Sequence, residues 1–151
     1  MVLHMPVELK VTEGLAPTEE AAILELLKAH NLAAFGESHR RELTIPLYDE
    51  GGSIHGGLVG YTGRGWLYVA MLFIPEDRRG QGLAARLLDL AEAEARARGC
   101  IGAYIDTMNP QALRLYLRHG YREIGSLKGL AGGHAVTWLE KRFDTTEASS
   151  E

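Results

Sequence analysis

The chain has 151 residues, 46% of them hydrophobic, and a formal net charge of −4. Such a length suits one domain with one core, the apolar content excludes a disordered chain, and the charge excludes a nucleic-acid-coating surface. A local phosphate pocket stays compatible with all three. In chain order, residues 6–11 alternate apolar and polar and predict a first strand. Thr18-Glu19-Glu20 opens a helix, with acidic side chains near the positive end of its dipole. Ile23, Leu24 and Leu27 carry it toward Phe35, and Gly36 ends it. Residues 43–48 and 54–61, turning at Gly51-Gly52, predict an antiparallel hairpin, and Gly63-Arg64-Gly65 leads into the apolar strand 66–74. The period then changes. Leu83, Leu87, Leu88, Leu90, Ala91 and Ala95 recur at helical spacing, with Glu92/Arg96 and Glu94/Arg98 as i, i+4 pairs and Gly99 as the stop. A strand over 101–107, a short helix from Asn109-Pro110 to Gly120, and strands over 121–127 and 136–143 complete the chain. The order β-α-β-β-β-α-β-α-β-β predicts an α/β (α+β) fold, a mixed sheet flanked by helices.

The single Cys100 forms no disulfide within the chain, and no Cys/His cluster has zinc-ligand spacing, so no metal is expected. This cysteine usage points to the cytoplasm. The first five residues lack a signal-peptide pattern, and the apolar run 66–74 is about half the length that spans a bilayer, so no membrane segment is expected. Residues 144–151, built from Asp, Thr, Glu, Ala and Ser, predict a disordered tail after a domain of residues 1–143.

The turn Arg78-Arg79-Gly80-Gln81-Gly82-Leu83-Ala84 joins the apolar strand to the long helix. Its glycines let backbone approach a ligand, and the helix start offers unpaired N–H groups to an anion. Three readings compete. A plain structural turn is one. A triphosphate loop is excluded, because no Gly-Lys-Ser/Thr follows. An NAD-type dinucleotide site fits G-x-G-x-x-A over Gly80–Ala85, with Asp106 at the next strand end. Against it, five residues separate Ile74 from Gly80, and the chain has a single strand-helix-strand unit.

The stretch Leu72–Ala84 closely resembles the acetyl-CoA motif of GNAT-superfamily N-acetyltransferases, Q/R-x-x-G-x-G/A after a strand, met by Arg79, Gly82 and Ala84. Asn109-x-x-Ala112-x-x-x-Tyr116-x-x-x-Gly120-Tyr121 resembles a second segment of that family, with Tyr121 in place of Phe. The order of elements fits nearly the whole chain up to Phe143.

That resemblance implies acetyl-CoA as cosubstrate and an amine as acceptor, with no nucleic acid or membrane partner. It implies that the central strands ending at Ile74 and Asp106 splay, and that the pantetheine arm enters between them along Leu72, Phe73 and Ile74. The pyrophosphate would sit on Arg79, Gly80, Gln81, Gly82, Leu83 and Ala84. Asn109, Ala112 and Tyr116, spaced three and four apart, share one helix face that would line the thioester. Tyr116 resembles the family's general acid, since a phenol is protonated at neutral pH and can serve the leaving sulfur. Core packing is the plainer reading of the same residue. Strand 66–74 holds no carboxylate, and Ala70 stands where some relatives place an acid. Asp106 and His134 remain as candidate bases, unless a weakly basic amine needs none. A catalytically silent acyl-CoA sensor would show the same motifs. The resemblance also leaves a homodimer contact through the last strands open, and no charge pattern in the first helix or the 128–135 turn selects the acceptor.

Overall fold

The computed structural model describes residues 4–143, and the expected tail 144–151 lies outside them. The chain divides into two compact units, residues 1–38 and 39–151. In the first, helix α1 (Pro17–Phe35) begins one residue ahead of Thr18, because Pro17 presets a helical φ at the first position. The Glu19 carboxylate accepts the Ala16 N–H at 3.1 Å, and the Gly36 N–H closes the other end on the Leu32 carbonyl at 2.9 Å. The expected first strand is not formed: described residues 4–16 contain no strand. Alternation of Val7, Leu9 and Val11 supplies a face, but a strand also needs a neighbour's N–H and C=O groups, and none of the six strands pairs there. The order therefore starts with a helix, and the rest of the expected α/β arrangement stands.

The second unit is a six-stranded sheet in the order β1-β2-β3-β4-β6-β5. Its strands are β1 (Arg41–Tyr48), β2 (Ile54–Gly63), β3 (Trp66–Phe73), β4 (Gly102–Thr107), β5 (Arg122–Leu130) and β6 (His134–Arg142). At the β1–β2 turn, Asp49 Oδ1 accepts the Ser53 N–H at 2.9 Å, which fixes the hairpin locally. All pairings are antiparallel except β3 with β4, which are joined by the crossover helix α2 (Leu83–Ala97). Helix α3 (Pro110–Arg118) connects β4 to β5.

Helix α2 lays Leu87, Leu88, Ala91 and Ala95 onto the sheet face that carries Leu58, Leu67, Val69, Ala103, Ile105 and Leu139. Each fully buried leucine there contributes about 1.5–3 kcal/mol. Glu92, which the sequence offers only as half of an i, i+4 pair with Arg96, is buried. Its carboxylate accepts the Tyr121 hydroxyl at 2.8 Å and the Lys141 ammonium at 2.7 Å, the partners a buried charge requires. Glu94 and Arg98 form the expected pair at 2.8 Å.

The sheet is interrupted in its centre. The β3–β4 ladder runs only from Trp66↔Gly102 to Val69↔Ile105. Beyond it, β3 stays with β2 to Gly57↔Phe73, and β4 stays with β6 to Thr107↔Thr137. A bulge between Val59 and Gly60 leaves Ala70 without a rung, and a bulge bends its strand. Two strands following different neighbours must part, which is the expected splay.

Candidate active site

A cavity of about 520 Å³ opens at this divergence. One wall is the end of β3, Leu72, Phe73 and Ile74. The floor is the turn into α2, with Arg78, Arg79, Gly80, Gly82, Leu83 and Ala84. The opposite wall is α3, with Asn109, Ala112 and Tyr116 joined by Gln111, Leu115 and Arg118. Eleven of the twelve residues anticipated from the motifs thus line one cavity; Gln81 belongs to the same turn but is exposed outside the lining.

The turn is shaped for an anion. After β3, Glu76–Arg78 form a single 3-10 turn, and the Arg79 Nε–H donates to the Ile74 carbonyl at 3.0 Å. That bond folds the turn back on the strand and leaves the terminal guanidinium nitrogens of Arg79 for a ligand. Gly82 is the N-cap of α2 at φ 73°, a left-handed conformation, and a Cβ there would meet nothing within 4 Å. Its space opens outward, where a ligand can reach the first N–H groups of the helix. No acid stands in the first turn of α2. The lining includes the guanidinium groups of Arg78, Arg79 and Arg118 and no carboxylate, although the whole chain carries −4. Arg118, Gln111 and Leu115 were not singled out from sequence. Their own spacing of four and three, beside the Asn109/Ala112/Tyr116 stripe, is the signal that marks them.

Asn109 has a structural task first. Its Oδ1 caps α3 by accepting from the N–H groups of Gln111 and Ala112, at 2.8 and 3.4 Å. Tyr116 is 4% exposed, with its ring 6.2 Å from that of Tyr121. Burial pushes its hydroxyl up to about 12, and the negative charge of Asp106 pushes the same way. The phenol is therefore held in its protonated form.

Of the candidate bases, His134 starts β6 as an exposed residue and is absent from the cavity lining. Asp106 lies one residue beyond the last β3–β4 rung and accepts the Tyr68 hydroxyl at 2.8 Å. It does not cap α3, because Asn109 does. Ala70 is the bulged residue itself. Away from the cavity, Asp89, Glu92 and His119 bring ligand-type atoms within 4.8 Å of one another. Lys141 and Tyr121 already occupy both oxygens of Glu92, which makes this an internal ion-pair cluster.

A model of the acetyltransferase (GNAT) family matches residues 11–121. The chain belongs to that family. This GNAT acetyltransferase is 60% identical over 124 residues to acetyltransferase Atu2258 of Agrobacterium fabrum, covering 82% of this chain and 90% of the relative. It is 44% identical over 95 residues to the blasticidin-S acetyltransferase of Streptomyces morookaense, covering 62% of this chain and 70% of the relative. A crystal structure of a protein from Agrobacterium tumefaciens described as an acetyltransferase superposes with a TM-score of 0.88 at 55% identity, covering 91% of this chain and all of that one. The dinucleotide reading falls away with these matches, and the chain is an acyltransferase.

Proposed function

We propose that this GNAT enzyme transfers the acetyl group of acetyl-CoA to a primary amine, with Tyr116 as general acid. The observation that carries the reading is an acid-free, arginine-lined cavity ending where β3 and β4 part, with a protonated tyrosine in its wall. A pyrophosphate suits the α2 N-terminus, Arg78 and Arg79, and the 520 Å³ volume admits a pantetheine arm beside Leu72–Ile74. Past Val69, backbone groups of β3 that face away from β2 have no β4 rung, so they suit the amides of that arm and the thioester carbonyl.

The chemistry then follows from the positions. The amine lone pair attacks the carbonyl carbon, the C–N bond forms and the C–S bond breaks. Tyr116, as general acid, gives the departing sulfur a hydrogen bond as charge builds there, and the surplus proton of the new amide nitrogen leaves to water, from which the thiolate regains one. A cytoplasmic enzyme goes with this reading. No described helix is long and apolar enough to cross a membrane. Two measurements test it. Calorimetry should give CoA an affinity on the order of micromolar and NADH none. Release of free thiol from acetyl-CoA across a panel of amines should identify turnover. CoA binding without thiol release for any amine would refute the catalytic assignment.

A further inference from the structure

The other face of the sheet carries side chains that the acyl-donor cavity does not use. Along β3 and β4, buried Leu67, Val69, Ala103 and Ile105 alternate with half-buried Tyr68, Tyr104 and Asp106, so the latter three point away from the α2 core. The Tyr68 and Tyr104 rings stack at 4.8 Å with an interplanar angle of 26°. Tyr61, from β2, meets Tyr68 edge-on at 5.7 Å. The Tyr68 hydroxyl donates to Asp106 Oδ1 at 2.8 Å.

This group borders the divergence of the strands. Val69↔Ile105 is its last rung, and Tyr68 and Asp106 are the residues next to it on this face. The Asp106 charge also acts on the Tyr116 hydroxyl in the cavity wall. The chemistry is that of a seat for an organic cation: tyrosine faces attract cations, and a carboxylate supplies the counter-charge. The cluster already holds one, the Arg40 guanidinium, 3.8 Å above the Tyr61 ring. Asp106 spends one hydrogen bond on Tyr68, whereas a carboxylate has about four lone-pair sites to offer.

We propose that Tyr61, Tyr68, Tyr104 and Asp106 form the acceptor subsite, and that the acceptor is an amine carrying a second, cationic group. The proposal rests on the acyl-donor reading of the cavity behind the sheet. The second cation follows from acid–base chemistry. An attacking nitrogen must be neutral, and a carboxylate in contact with an ammonium group holds it protonated. Asp106 therefore suits a cation that does not react, while the other end of the molecule reaches through the parted strands to the thioester. There its nitrogen forms the C–N bond, the C–S electron pair goes to sulfur under a hydrogen bond from Tyr116, and water takes the amine proton and supplies the thiol's.

The test uses the full chain with saturating acetyl-CoA and two amines of equal heavy-atom count, 1,5-diaminopentane and n-hexylamine. The expected kcat/KM for the diamine exceeds that for the monoamine by about tenfold or more, the discrimination expected of one desolvated charge pair. Asp106→Asn is expected to shrink that advantage to about twofold, mainly through KM. Titration of 1,5-diaminopentane into the CoA-saturated protein reads the same subsite without turnover, and about tenfold weaker binding is expected in Asp106→Asn. Equal kcat/KM for both amines in the wild type overturns the proposal. So does an equal loss for both in Asp106→Asn, which would make Asp106 a general base. Failure to bind CoA overturns the donor reading and this inference together, whereas CoA binding without diamine preference overturns the acceptor class alone.

Discussion

Replacing Tyr116 by Phe removes one hydroxyl and keeps the ring against Tyr121. The size of the loss can be worked out from the site. Burial and Asp106 raise the phenol to about 12, whereas a thiol leaving group has a pKa of about 8.5. Complete proton transfer to a free thiolate is then uphill by roughly 3.5 units, or about 5 kcal/mol at 1.36 kcal/mol per unit. In the proposed mechanism Tyr116 would therefore act mostly through the hydrogen bond it gives to sulfur as charge builds there. A hydrogen bond to a charged group is worth about 1.5–3 kcal/mol, which converts to about 10- to 150-fold in rate. The expected result is a fall in kcat within that range, at or below the bottom of the roughly 10²–10⁴-fold that general acids usually contribute, with CoA affinity nearly unchanged. Steady-state thiol release at saturating acceptor, beside a melting curve and a CoA titration, measures it. An unchanged kcat in a normally folded variant would remove Tyr116 from the mechanism and leave water as the donor.

The same raised pKa fixes the shape of a pH profile. The acid form of Tyr116 persists up to about pH 12, so kcat/KM should climb as the amine loses its proton and show no descending limb below about pH 10; a fall with a midpoint near 9 contradicts the assignment. Gly82→Val places a β-branched residue at φ 73° and a side chain where an anion would approach the α2 N-terminus. Calorimetry should show CoA binding weakened by about 100-fold or more in a chain that still folds, and normal CoA binding with only a lowered melting point would make the turn purely structural. Glu92→Ala leaves the buried Tyr121 hydroxyl and the Lys141 ammonium without their acceptor. Because the Lys141 side chain is 22% exposed and can recover some hydration, the expected loss is about 2–3 kcal/mol by urea unfolding, below the range for breaking a fully buried pair.

Helical spacing located the two helices of the sheet unit because each buries one stripe, as Leu87, Leu88, Ala91 and Ala95 do in α2. The glycine-rich turn and the Asn109/Ala112/Tyr116 stripe were equally legible, since their geometry is set within a few consecutive residues. What escaped was set by distant partners. Val7, Leu9 and Val11 alternate like a strand, but nothing local reveals that no neighbour pairs with them. Glu92 reads as a surface residue until Tyr121 and Lys141, 29 and 49 positions away, are folded onto it. The Tyr68–Asp106 bond joins residues 38 apart, so the aromatic face left no signature in either strand alone. Arg40 lies 3.8 Å above the Tyr61 ring, another contact that neither segment announces alone.

Among the described residues, β1-β2-β3 meets β4-β6-β5 through a short ladder of four rungs, Trp66↔Gly102 through Val69↔Ile105, continued by the Ile101 N–H donating to the Gly65 carbonyl at 2.8 Å. The glycine-rich turn hangs from the first trio and Tyr116 from the second. A ligand spanning the cavity would therefore act as a staple across a short zip. Its binding free energy would add to the weakest strand junction of the sheet, by RT ln(1 + [L]/Kd), about 2.7 kcal/mol at a hundredfold excess over Kd. Amide protons of the paired rungs, outside the cavity lining, would then exchange more slowly with donor bound, and the ladder would report occupancy of a cavity it does not line.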